Sequence, residues 1–457
     1  MKTTKNKIVI LNGAGINDSY LDAPFSLLLE AVKQDYADSE VIIHNLRDYK
    51  LAHCTGCFGC FIKTPGKCSS SDEGKEIIKS VIQSDVTILF TPVTFGGYSS
   101  ILKIIIERFI VLILPFFKKY GDEIHHEPRY AKYPRLISIG VQQQYKSTEA
   151  GIFKTLAGRN AINFNASSYA AEVINAQDNN ETIIAKIKDV FTRIDVFPLM
   201  DEAMKYLPKT ETVNFNIKPD GSHKVLLLIG SPRVTHRSSS SLFGEYLTRQ
   251  MDYYGWVPEV ITLKRNIDRE NGQADLCAAV DRNDIIIFAF PLYADSLPYM
   301  ATKALEIIAG HKNSLTDKKP QAIYTIVNCG FPEYEQNALA LAICNSFAVQ
   351  SGITWAGGLA IGAGEAFGNG IPLTEPKRKG LSVNALIEGL DIAAKDLAEC
   401  RTVSKIVQDK IIKIPIPGVS FSVWRWIFKK VGSHGWIEQA KKNGVNKAQL
   451  YAKPYEV

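Results

Sequence analysis

The stretch Asp85-Val-Thr-Ile-Leu-Phe-Thr-Pro92 recurs in the second half of the chain as Asp284-Ile-Ile-Ile-Phe-Ala-Phe-Pro291, with the same step from Asp to Pro. Apolar runs without alternation are typical of strands buried on both faces, as in a parallel sheet. Two more pairs of strand-like runs occur in the same order: Lys7–Asn12 with Lys224–Gly230, and Pro134–Gly140 with Pro320–Val327. The chain is therefore predicted to contain two copies of one fold.

Within each copy the strands alternate with helical patterns, such as Glu73–Gln83 and Ser241–Tyr254. This order predicts right-handed βαβ units and an α/β fold with two doubly wound parallel sheets. The segment between the copies contains Pro208, Pro219 and an Asp-Gly pair and has little helical pattern, which indicates a linker. The predicted segments are a first domain at 1–205, a linker at 206–222, a second domain at 223–400 and a C-terminal helical arm at 401–457.

Composition indicates a globular protein, because 46% of the 457 residues are hydrophobic and 22% are charged. The net charge of +6 is too mild to favour nucleic-acid binding. The N-terminus runs straight into a strand-like pattern without a secretory signal, so a cytoplasmic location is expected. The longest apolar run, Phe109–Phe117, is too short for a transmembrane segment and is predicted to be a buried helix.

Four of the eight cysteines lie close together, in Cys54-Thr-Gly-Cys57-Phe-Gly-Cys60 and then at Cys68. Iron–sulfur clusters are held by four thiolates, and a C-x2-C-x2-C run followed by a more distant cysteine suits that geometry. Gly56, Gly59 and Gly66 permit the curl that such a loop needs. The sequence predicts a cluster here, with a four-cysteine zinc site and thiol or disulfide chemistry as the alternatives.

In copy two, the first strand leads into a loop of small and hydroxyl residues with two arginines, Gly230–Ser241, after which a helix begins. Backbone N–H groups, hydroxyls and the positive end of a helix suit a dianionic phosphate. A serine-rich helix cap is the alternative. The residues predicted to bind the phosphate are Ser231, Arg233, Ser238, Ser239 and Ser240.

The loops after the next two strands of copy two are predicted to hold a flavin ring. In doubly wound sheets, ligands bind beyond the carboxyl ends of the strands, where these loops and the phosphate loop meet. Cys329 is expected to be a packed thiol rather than a nucleophile. The predicted ring-binding residues are Pro291, Leu292, Tyr293, Asp295, Ser296, Cys329 and Gly330.

Copy one has an equivalent ring-covering loop, whose glycines permit close approach and whose aromatic residues can stack on a flat ring. Its phosphate loop, Asn12–Tyr20, lacks an arginine and carries Asp18, which would repel a phosphate. The sequence therefore leaves open whether copy one binds FMN. The predicted ring-binding residues of copy one are Pro92, Val93, Thr94, Phe95, Gly96, Gly97, Tyr98 and Ser99.

Three further stretches have more than one interpretation. Glu123–Tyr130 contains two histidines, which predict either metal ligands or a polar loop whose imidazoles form hydrogen bonds or line a subunit contact. The spacing of the glycine-rich stretch Gly357–Gly368 does not match a dinucleotide fingerprint. This stretch is predicted to be either a loop that lets the backbone approach the flavin or a second subunit, or a plain glycine-rich connection. The arm contains three of the five tryptophans beside basic residues, which predicts a lid or packing arm, or else a helix on a membrane surface.

These motifs resemble the flavodoxin-like NADPH-dependent FMN reductases and, among them, the iron–sulfur flavoproteins. The resemblance rests on the four cysteines, on the run Ser84–Ser99 and on Gly230-Ser-Pro-Arg233. It implies two tandem flavodoxin-like domains, FMN at the strand ends and a [4Fe-4S] cluster on Cys54, Cys57, Cys60 and Cys68.

The same resemblance implies a function in electron transfer. NAD(P)H is the expected electron donor, a small molecule or a protein is the expected acceptor, and a homodimer is possible. FMN carries the chemistry, so no catalytic side chain is predicted. The alternatives are a redox or metal sensor or carrier without enzymatic activity, and a zinc-stabilised binding module built on flavodoxin domains.

Overall fold

A computed structural model describes residues 6–209, 214–215, 217, 223–233, 237–263, 267–368, 370–375, 382–412 and 418–456. Most of the predicted linker at 206–222 lies outside these residues. The chain divides into two compact units: Met1–Glu202 together with Lys429–Val457, and Ala203–Phe428. The predicted arm at 401–457 is thus shared between the two units.

The first unit alternates strands and helices as the sequence predicts, and its N-terminal part contains all four clustered cysteines. Its strands are β1 (Lys7–Asn12), β2 (Glu40–Asn45), β3 (Val86–Thr94), β4 (Gly97–Tyr98), β5 (Ile113–Tyr120), β6 (Glu123–Pro128), β7 (Arg135–Gln142) and β8 (Tyr169–Asn175). Its helices are α1 (Asp22–Asp35), α2 (Gly59–Ile62), α3 (Gly74–Ile82), α4 (Ser100–Ile106), α5 (Ser147–Asn163) and α6 (Asn180–Thr192), followed at the unit boundary by α7 (Met200–Met204).

The second unit repeats this alternation. Its strands are β9 (Lys224–Ile229), β10 (Val257–Thr262), β11 (Ile285–Pro291), β12 (Ala322–Asn328) and β13 (Thr354–Ile361). Its helices are α8 (Ser239–Tyr253), α9 (Glu270–Arg282), α10 (Tyr299–Ser314), α11 (Ala338–Ser351), α12 (Gly364–Gly368), α13 (Asn384–Ala398) and α14 (Ile406–Ile411). A last helix, α15 (Phe421–Lys442), contains the boundary at which the chain returns to the first unit.

Both sheets have the same strand order. The first unit has β2-β1-β3-β7-β8 and the second has β10-β9-β11-β12-β13, with every pair along these orders parallel. Counted within each unit, this is the flavodoxin-like order 2-1-3-4-5. The prediction of two tandem flavodoxin-like domains with a helical C-terminal region is confirmed.

The repeated aspartates have the same structural task in both units. Asp85 accepts a hydrogen bond from the backbone N–H of Lys7 at 2.8 Å, and Asp284 accepts one from the N–H of Lys224 at 2.8 Å. Each carboxylate therefore ties the start of the third strand to the start of the first. This shared contact explains why the Asp that begins the repeated stretch is a feature of both copies.

The loops after the third strands also share one conformation, a tight turn with two left-handed residues at its tip. In the first unit these residues are Phe95 and Gly96, with φ of 55° and 93°. In the second they are Ala294 and Asp295, with φ of 50° and 54°. Positive φ at both central residues is typical of a type I′ hairpin turn. The duplication therefore extends from the strands into the predicted ring-binding loops.

The prediction of a buried helix at Phe109–Phe117 is wrong. Glu107–Leu112 forms a 3-10 helix, and the chain then enters β5, which pairs antiparallel with β6. Gly121 adopts a φ of 55° in the turn between these strands, a conformation that glycine permits. A continuous apolar run does not by itself distinguish a buried helix from a buried strand, and the Gly-Asp turn after Tyr120 was the missed signal.

The pairing of β5 and β6 places the His126 ring between aromatic side chains. Its ring centroid lies 5.3 Å from that of Phe61 and 5.0 Å from that of Phe117. The residue is half-buried, but its Nδ1 atom is shielded from solvent. Burial is the main reason why the pKa of His126 is lowered to about 4.

This lowered pKa makes the stability of the first unit depend on pH. Below pH 6.5 the unfolded chain binds a proton at His126 that the folded chain does not, so stability is complete above 6.5 and falls as the pH drops towards 4. The His126→Phe variant should therefore lose less stability than the wild type in this window. Urea unfolding midpoints between pH 7 and pH 4 measure the difference, and identical slopes for the two proteins would contradict the assignment.

The two predictions for Gly357–Gly368, a loop and a plain glycine-rich connection, are both wrong. The first part of this stretch belongs to β13, and its last part forms α12. A Cβ atom on Gly358 would lie 2.6 Å from Leu341 Cδ2 of α11, so glycine is needed for this helix to pack against the strand. Gly357 has a φ of 117° at a register irregularity beside Tyr324. Close packing and a bulge, rather than a loop, explain these glycines.

Within the described ranges, no helix combines the length and the apolar character that crossing a bilayer requires.

Candidate functional site

The four cysteines lie in the loop and single helical turn between β2 and α3. Gly56 and Gly66 adopt positive φ of 62° and 78°, as expected for a curled loop, and Phe58 adopts 51°. Phe58 is the residue directly before α2, which carries Cys60. The Gly66 N–H donates to the Cys60 carbonyl at 2.9 Å and closes the curl.

The thiols of this loop interact with one another. Cys54 is half-buried, and the protein around its thiol raises its pKa to about 12, with the charges of Glu107, Cys68 and Cys57 adding to the effect of burial. Burial also raises the pKa of Cys60, and the other three cysteines contribute. All four are free thiols. The loop thus gathers four sulfurs, two of which would stay protonated at neutral pH without a compensating positive charge.

Cys57 lies in a different environment from Cys54 and Cys60. Burial opposes its ionisation, but hydrogen bonds from the Gly59 N–H and from the hydroxyls of Thr55 and Ser69 hold its pKa below the ordinary value. The Gly59 N–H lies 3.4 Å from the Cys57 sulfur. N–H···S and O–H···S bonds of this kind stabilise a thiolate, which is the form that binds metals.

Arg108 is a buried cation beside the cysteine loop. Its guanidinium forms a bidentate pair with Asp72, at 2.8 and 2.7 Å, and also donates to the Ala52 carbonyl. A second contact is with the Cys68 sulfur. A Cβ atom on Gly74 would lie 2.3 Å from Arg108 Nη1, so glycine at this position makes room for the guanidinium. Arg108 therefore places a positive charge beside the Cys68 sulfur.

Arg129 is the second buried cation, with 3% of its surface exposed. Its guanidinium donates to the carbonyls of Ile113, Leu450 and Ala452, and within the described part of the chain it has no carboxylate partner. Its Nε atom is buried without a hydrogen-bond partner there. Burial lowers the pKa of Arg129, and the Cys60 sulfur is among the groups that oppose this shift. Such a cation is costly to bury unless negative charge lies nearby.

The four thiols and the two buried arginines together suit a metal-bound group that carries net negative charge. Four thiolates around a zinc ion or an iron–sulfur cluster supply such a charge, which the two arginines would balance. Among the residues described, however, no three or more His, Cys, Asp or Glu side chains converge on one point as ligands of a single ion do.

The predicted phosphate loop of the second unit is well suited to an anion. Ser238 caps α8 by accepting the Ser241 N–H at 3.1 Å, and the first turn of this helix contains no acidic residue. Ser231 is buried at the start of the loop, and Ser239 and Ser240 are buried in the first turn of the helix. Residues 234–236 of this loop lie outside the described residues. The described part places hydroxyls at the positive end of a helix, as a phosphate requires.

Arg233 of this loop already has an anionic partner. Its guanidinium pairs with the Glu365 carboxylate of α12. The same short helix packs closely on the loop, because a Cβ atom on Gly368 would lie 2.2 Å from Ser239 Oγ. Glu365 is half-exposed, so an incoming phosphate dianion can compete with it for Arg233.

The corresponding loop of the first unit does not fit a phosphate. The Asp18 carboxylate accepts the Gly15 N–H at 2.7 Å, and Asn12 accepts the Ala14 N–H at 3.0 Å. These are the backbone donors that a phosphate would use. In addition, α1 begins with the acidic residue Asp22. Asp18 therefore opposes phosphate binding in two ways: its carboxylate repels the anion, and it already occupies the Gly15 N–H.

The two ring-covering loops differ in their accessibility. In the first unit Phe95, Gly96, Gly97, Tyr98 and Ser99 are buried, while Val93 and Thr94 are half-buried. In the second unit Pro291, Leu292, Tyr293 and Ala294 are half-buried and only Asp295 and Ser296 are buried. The second unit therefore offers both the better anion site and the more accessible ring loop.

Cys329 is a structural thiol. Its sulfur lies 3.3 Å from the carbonyl oxygens of Phe331 and Glu333 and accepts a hydrogen bond from Asn337 Nδ2 at 3.5 Å. Burial raises its pKa to about 12. This supports the interpretation of a packed thiol, so any contact of Cys329 or Gly330 with a flavin would use the backbone.

The two histidines at Glu123–Tyr130 lie on strand β6 rather than in a loop. His125 bonds Glu123 Oε2 at 2.9 Å and Asn163 Oδ1 at 2.8 Å, and Glu123 also pairs with the buried Arg159. The hydrogen-bonding interpretation of these histidines is therefore supported.

A cavity of about 460 Å³ lies elsewhere in the first unit, beside Asp85, Lys118 and Tyr133. Asp85 precedes β3, so the cavity lies at the amino end of that strand. Ligands of doubly wound sheets bind beyond the carboxyl ends, and this cavity is therefore not the predicted site.

Comparison with known proteins finds the same family that the sequence motifs resemble. Residues 6–175 match the sequence profile of a family described as NADPH-dependent FMN reductase. An iron–sulfur flavoprotein of Methanocaldococcus jannaschii is 39% identical over 80 residues, which are 18% of this chain and 39% of that protein. An iron–sulfur flavoprotein of Archaeoglobus fulgidus is 28% identical over 102 residues, 22% of this chain and 48% of that protein. The chain thus spans less than half the length of these curated relatives.

Among solved structures, one described as an NADH:FMN oxidoreductase in its apo form is similar at 15% identity, covering 43% of this chain and 97% of that one, with a TM-score of 0.30. An azoreductase from Bacillus anthracis has 13% identity, covering 41% and 99%, with a TM-score of 0.28. The strand orders of the two sheets identify the flavodoxin-like fold. The family resemblance is confirmed by the profile and the two curated relatives.

Proposed function

Because residues 6–175 match the NADPH-dependent FMN reductase family, we propose that this protein is an FMN-dependent oxidoreductase that takes electrons from NAD(P)H and passes them to a small-molecule or protein acceptor. Cys54, Cys57, Cys60 and Cys68 hold a [4Fe-4S] cluster. When bound, FMN accepts a hydride and releases electrons singly, and an iron–sulfur cluster carries single electrons.

The observation that carries the cluster assignment is the buried charge of Arg129, which has no carboxylate partner among the residues that the structure describes, beside the four clustered thiols. Arg108 adds a second buried cation at Cys68. Together they stabilise the thiolate forms of the cysteines and the negative charge of the group that the thiolates bind.

Iron is favoured over zinc by the spacing of the cysteines in the sequence. A C-x2-C-x2-C run followed by a more distant cysteine is typical of iron–sulfur ligands, whereas four-cysteine zinc sites usually have two separate C-x2-C pairs. The two curated relatives, both described as iron–sulfur flavoproteins, point the same way.

The second unit is the proposed FMN site. The hydroxyls of Ser231, Ser238, Ser239 and Ser240 and the amino end of α8 bind the phosphate, and Arg233 leaves Glu365 to pair with it. The hairpin Pro291–Ser296 covers the ring. In the first unit Asp18 occupies the equivalent backbone donors, so one FMN per chain is expected.

Replacing Arg233 with alanine should weaken FMN binding by about ten- to a hundredfold, because a hydrogen bond to a charged group contributes about 1.5–3 kcal/mol. Glu365→Gln should leave binding as tight or tighter, since it frees Arg233 from its internal partner. Flavin fluorescence titration of the apoprotein measures both. The matched control is Arg282→Ala, which removes an arginine that pairs with Glu259. If Arg233→Ala binds FMN like the control, the phosphate assignment fails.

The rate of NADH or NADPH oxidation tests the proposed oxidoreductase function directly. The anaerobically purified protein should oxidise NADH or NADPH in the presence of a quinone or free flavin, and NADH and NADPH in parallel assays identify the donor. A protein that binds its cofactors but shows no turnover with any acceptor would favour the alternative, a redox or metal sensor or carrier.

A further inference from the structure

The end of the chain lies against the cysteine loop. A Cβ atom on Gly66 would stand 2.7 Å from Pro454 Cδ, so the proline ring packs directly on this glycine. The Trp436 ring lies 5.0 Å from that of Phe58 and 5.4 Å from that of Phe61, between centroids. Phe58 directly precedes the α2 turn that carries Cys60, and Phe61 lies within that turn. Contacts from α15 and from the last residues therefore cover two sides of the same loop.

Several hydrogen bonds hold the last residues in this position. Arg129 donates to the carbonyls of Leu450 and Ala452, at 2.9 and 2.7 Å. Gln83 Nε2 donates to the Tyr455 carbonyl at 3.0 Å, and the Tyr455 N–H donates to the Tyr130 hydroxyl at 3.3 Å. The charge of Arg129 also interacts with the Cys60 sulfur. One buried cation thus hydrogen-bonds the chain end and lies within electrostatic range of the cysteine site.

Apolar packing adds to these bonds. Leu450 is fully buried in a small cluster with Leu114 and Phe116 of β5, and Val445 and Ala440 belong to the same cluster. The Tyr451 ring lies 5.1 Å from that of Phe116. The segment Val445–Glu456, called the cap below, is therefore a packed part of the first unit.

The cap contains a polar side chain, that of Tyr455, near the cysteine sulfurs. Tyr455 is 8% exposed, and its hydroxyl is buried without a hydrogen-bond partner among the described residues. Its phenol lies within electrostatic range of the Cys68 and Cys60 sulfurs and of Arg108. A buried hydroxyl without a partner is costly, and a sulfur-rich group on the four cysteines would supply the missing acceptor.

We propose that the cap shields one side of the four-cysteine site from solvent, with Cys57 still exposed on the other, and that the Tyr455 hydroxyl donates a hydrogen bond to a sulfur of the group held there. The second part rests on the proposed cluster. Hydrogen bonds to the sulfurs and exclusion of solvent are two means by which a protein sets the reduction potential of a cluster. Tyr455 is a positioning residue, and it takes no part in ligation.

Thiol labelling tests the cap without any cofactor. A chain ending at Tyr451 keeps Leu450 and loses Pro454 and Tyr455. In the apoprotein, an aromatic disulfide reagent should modify Cys54 and Cys60 of this shortened chain about tenfold faster or more than in the full chain. Tyr451→Phe, which keeps the ring on Phe116, is the matched control and should label like the wild type. Equal labelling rates for the shortened and full chains would overturn the cap.

Tyr455→Phe tests the hydrogen bond and keeps the packing. In the anaerobic holoprotein it should shift the cluster midpoint potential to more negative values and change its paramagnetic resonance spectrum, with the iron content unchanged. An unchanged potential and spectrum at full iron content would overturn the hydrogen bond while the proposed function stands. Absence of iron from the wild type would overturn the proposed cluster and this hydrogen bond together, and the labelling rates would still decide the cap.

Discussion

The Cys60→Ser variant, purified without air, is expected to lose its iron and acid-labile sulfide while it keeps its flavin. Cys60 is buried on the α2 turn, with its sulfur beside the other three cysteines and Arg129. Serine offers a much weaker ligand in the same place, and a cluster needs four thiolates. The flavin should remain because its proposed residues lie in the second unit. Iron, sulfide and FMN analysis of the purified variant measures the effect.

Cys277→Ser is the matched control for this variant. Cys277 is a free, half-buried cysteine on α9 of the second unit, away from the clustered cysteines in the sequence. This variant should keep iron, sulfide and flavin. Full iron content in Cys60→Ser would contradict the assignment of the cysteines as cluster ligands.

Replacing Asp72 with alanine should destabilise the first unit by about 3–5 kcal/mol, the usual cost of leaving a buried ion unpaired. Asp72 forms the bidentate pair with Arg108, whose side chain is 1% exposed. Its carboxylate also accepts the N–H groups of Ala52 and Gly74, so it ties the start of the cysteine loop to α3. Urea unfolding of the apoprotein gives the loss of stability.

Asp178→Ala is the control for the Asp72 variant. Asp178 pairs with Lys186 near the surface, with both side chains partly exposed. Such pairs contribute about 0–1 kcal/mol. If the two alanine variants lost similar stability, Asp72 would not have the structural role assigned to it.

The fold could be predicted from the sequence because the patterns that indicate it are local. The β3 and β11 stretches are continuous apolar runs, and the aspartates before them mark the same contact in both units. The prediction failed where a local pattern has two meanings. The apolar run Phe109–Phe117 enters strand β5 instead of forming a helix, and the glycines at 357–358 lie in β13 because α11 packs closely on them.

Only part of the candidate site could be predicted from the sequence. The spacing of the four cysteines is visible in fifteen residues, but the groups that surround them come from distant parts of the chain. Arg108 and Arg129 reach the loop from the regions before and after the β5–β6 hairpin, and Tyr455 comes from the chain end. No spacing rule predicts such contacts, because they depend on how the elements pack. Arg108, which lies between the apolar runs Ile104–Ile106 and Phe109–Phe117, was a signal in the sequence, whereas the polar stretch around Arg129 offered none.

Each chain is proposed to hold one iron–sulfur cluster in its first unit and one flavin in its second. The direct test is the content of iron, acid-labile sulfide, zinc and FMN per chain in the wild-type protein purified without air. We expect the full complement of one [4Fe-4S] cluster and a single FMN, with no zinc. One zinc per chain without iron, or a colourless protein without flavin, would contradict the account.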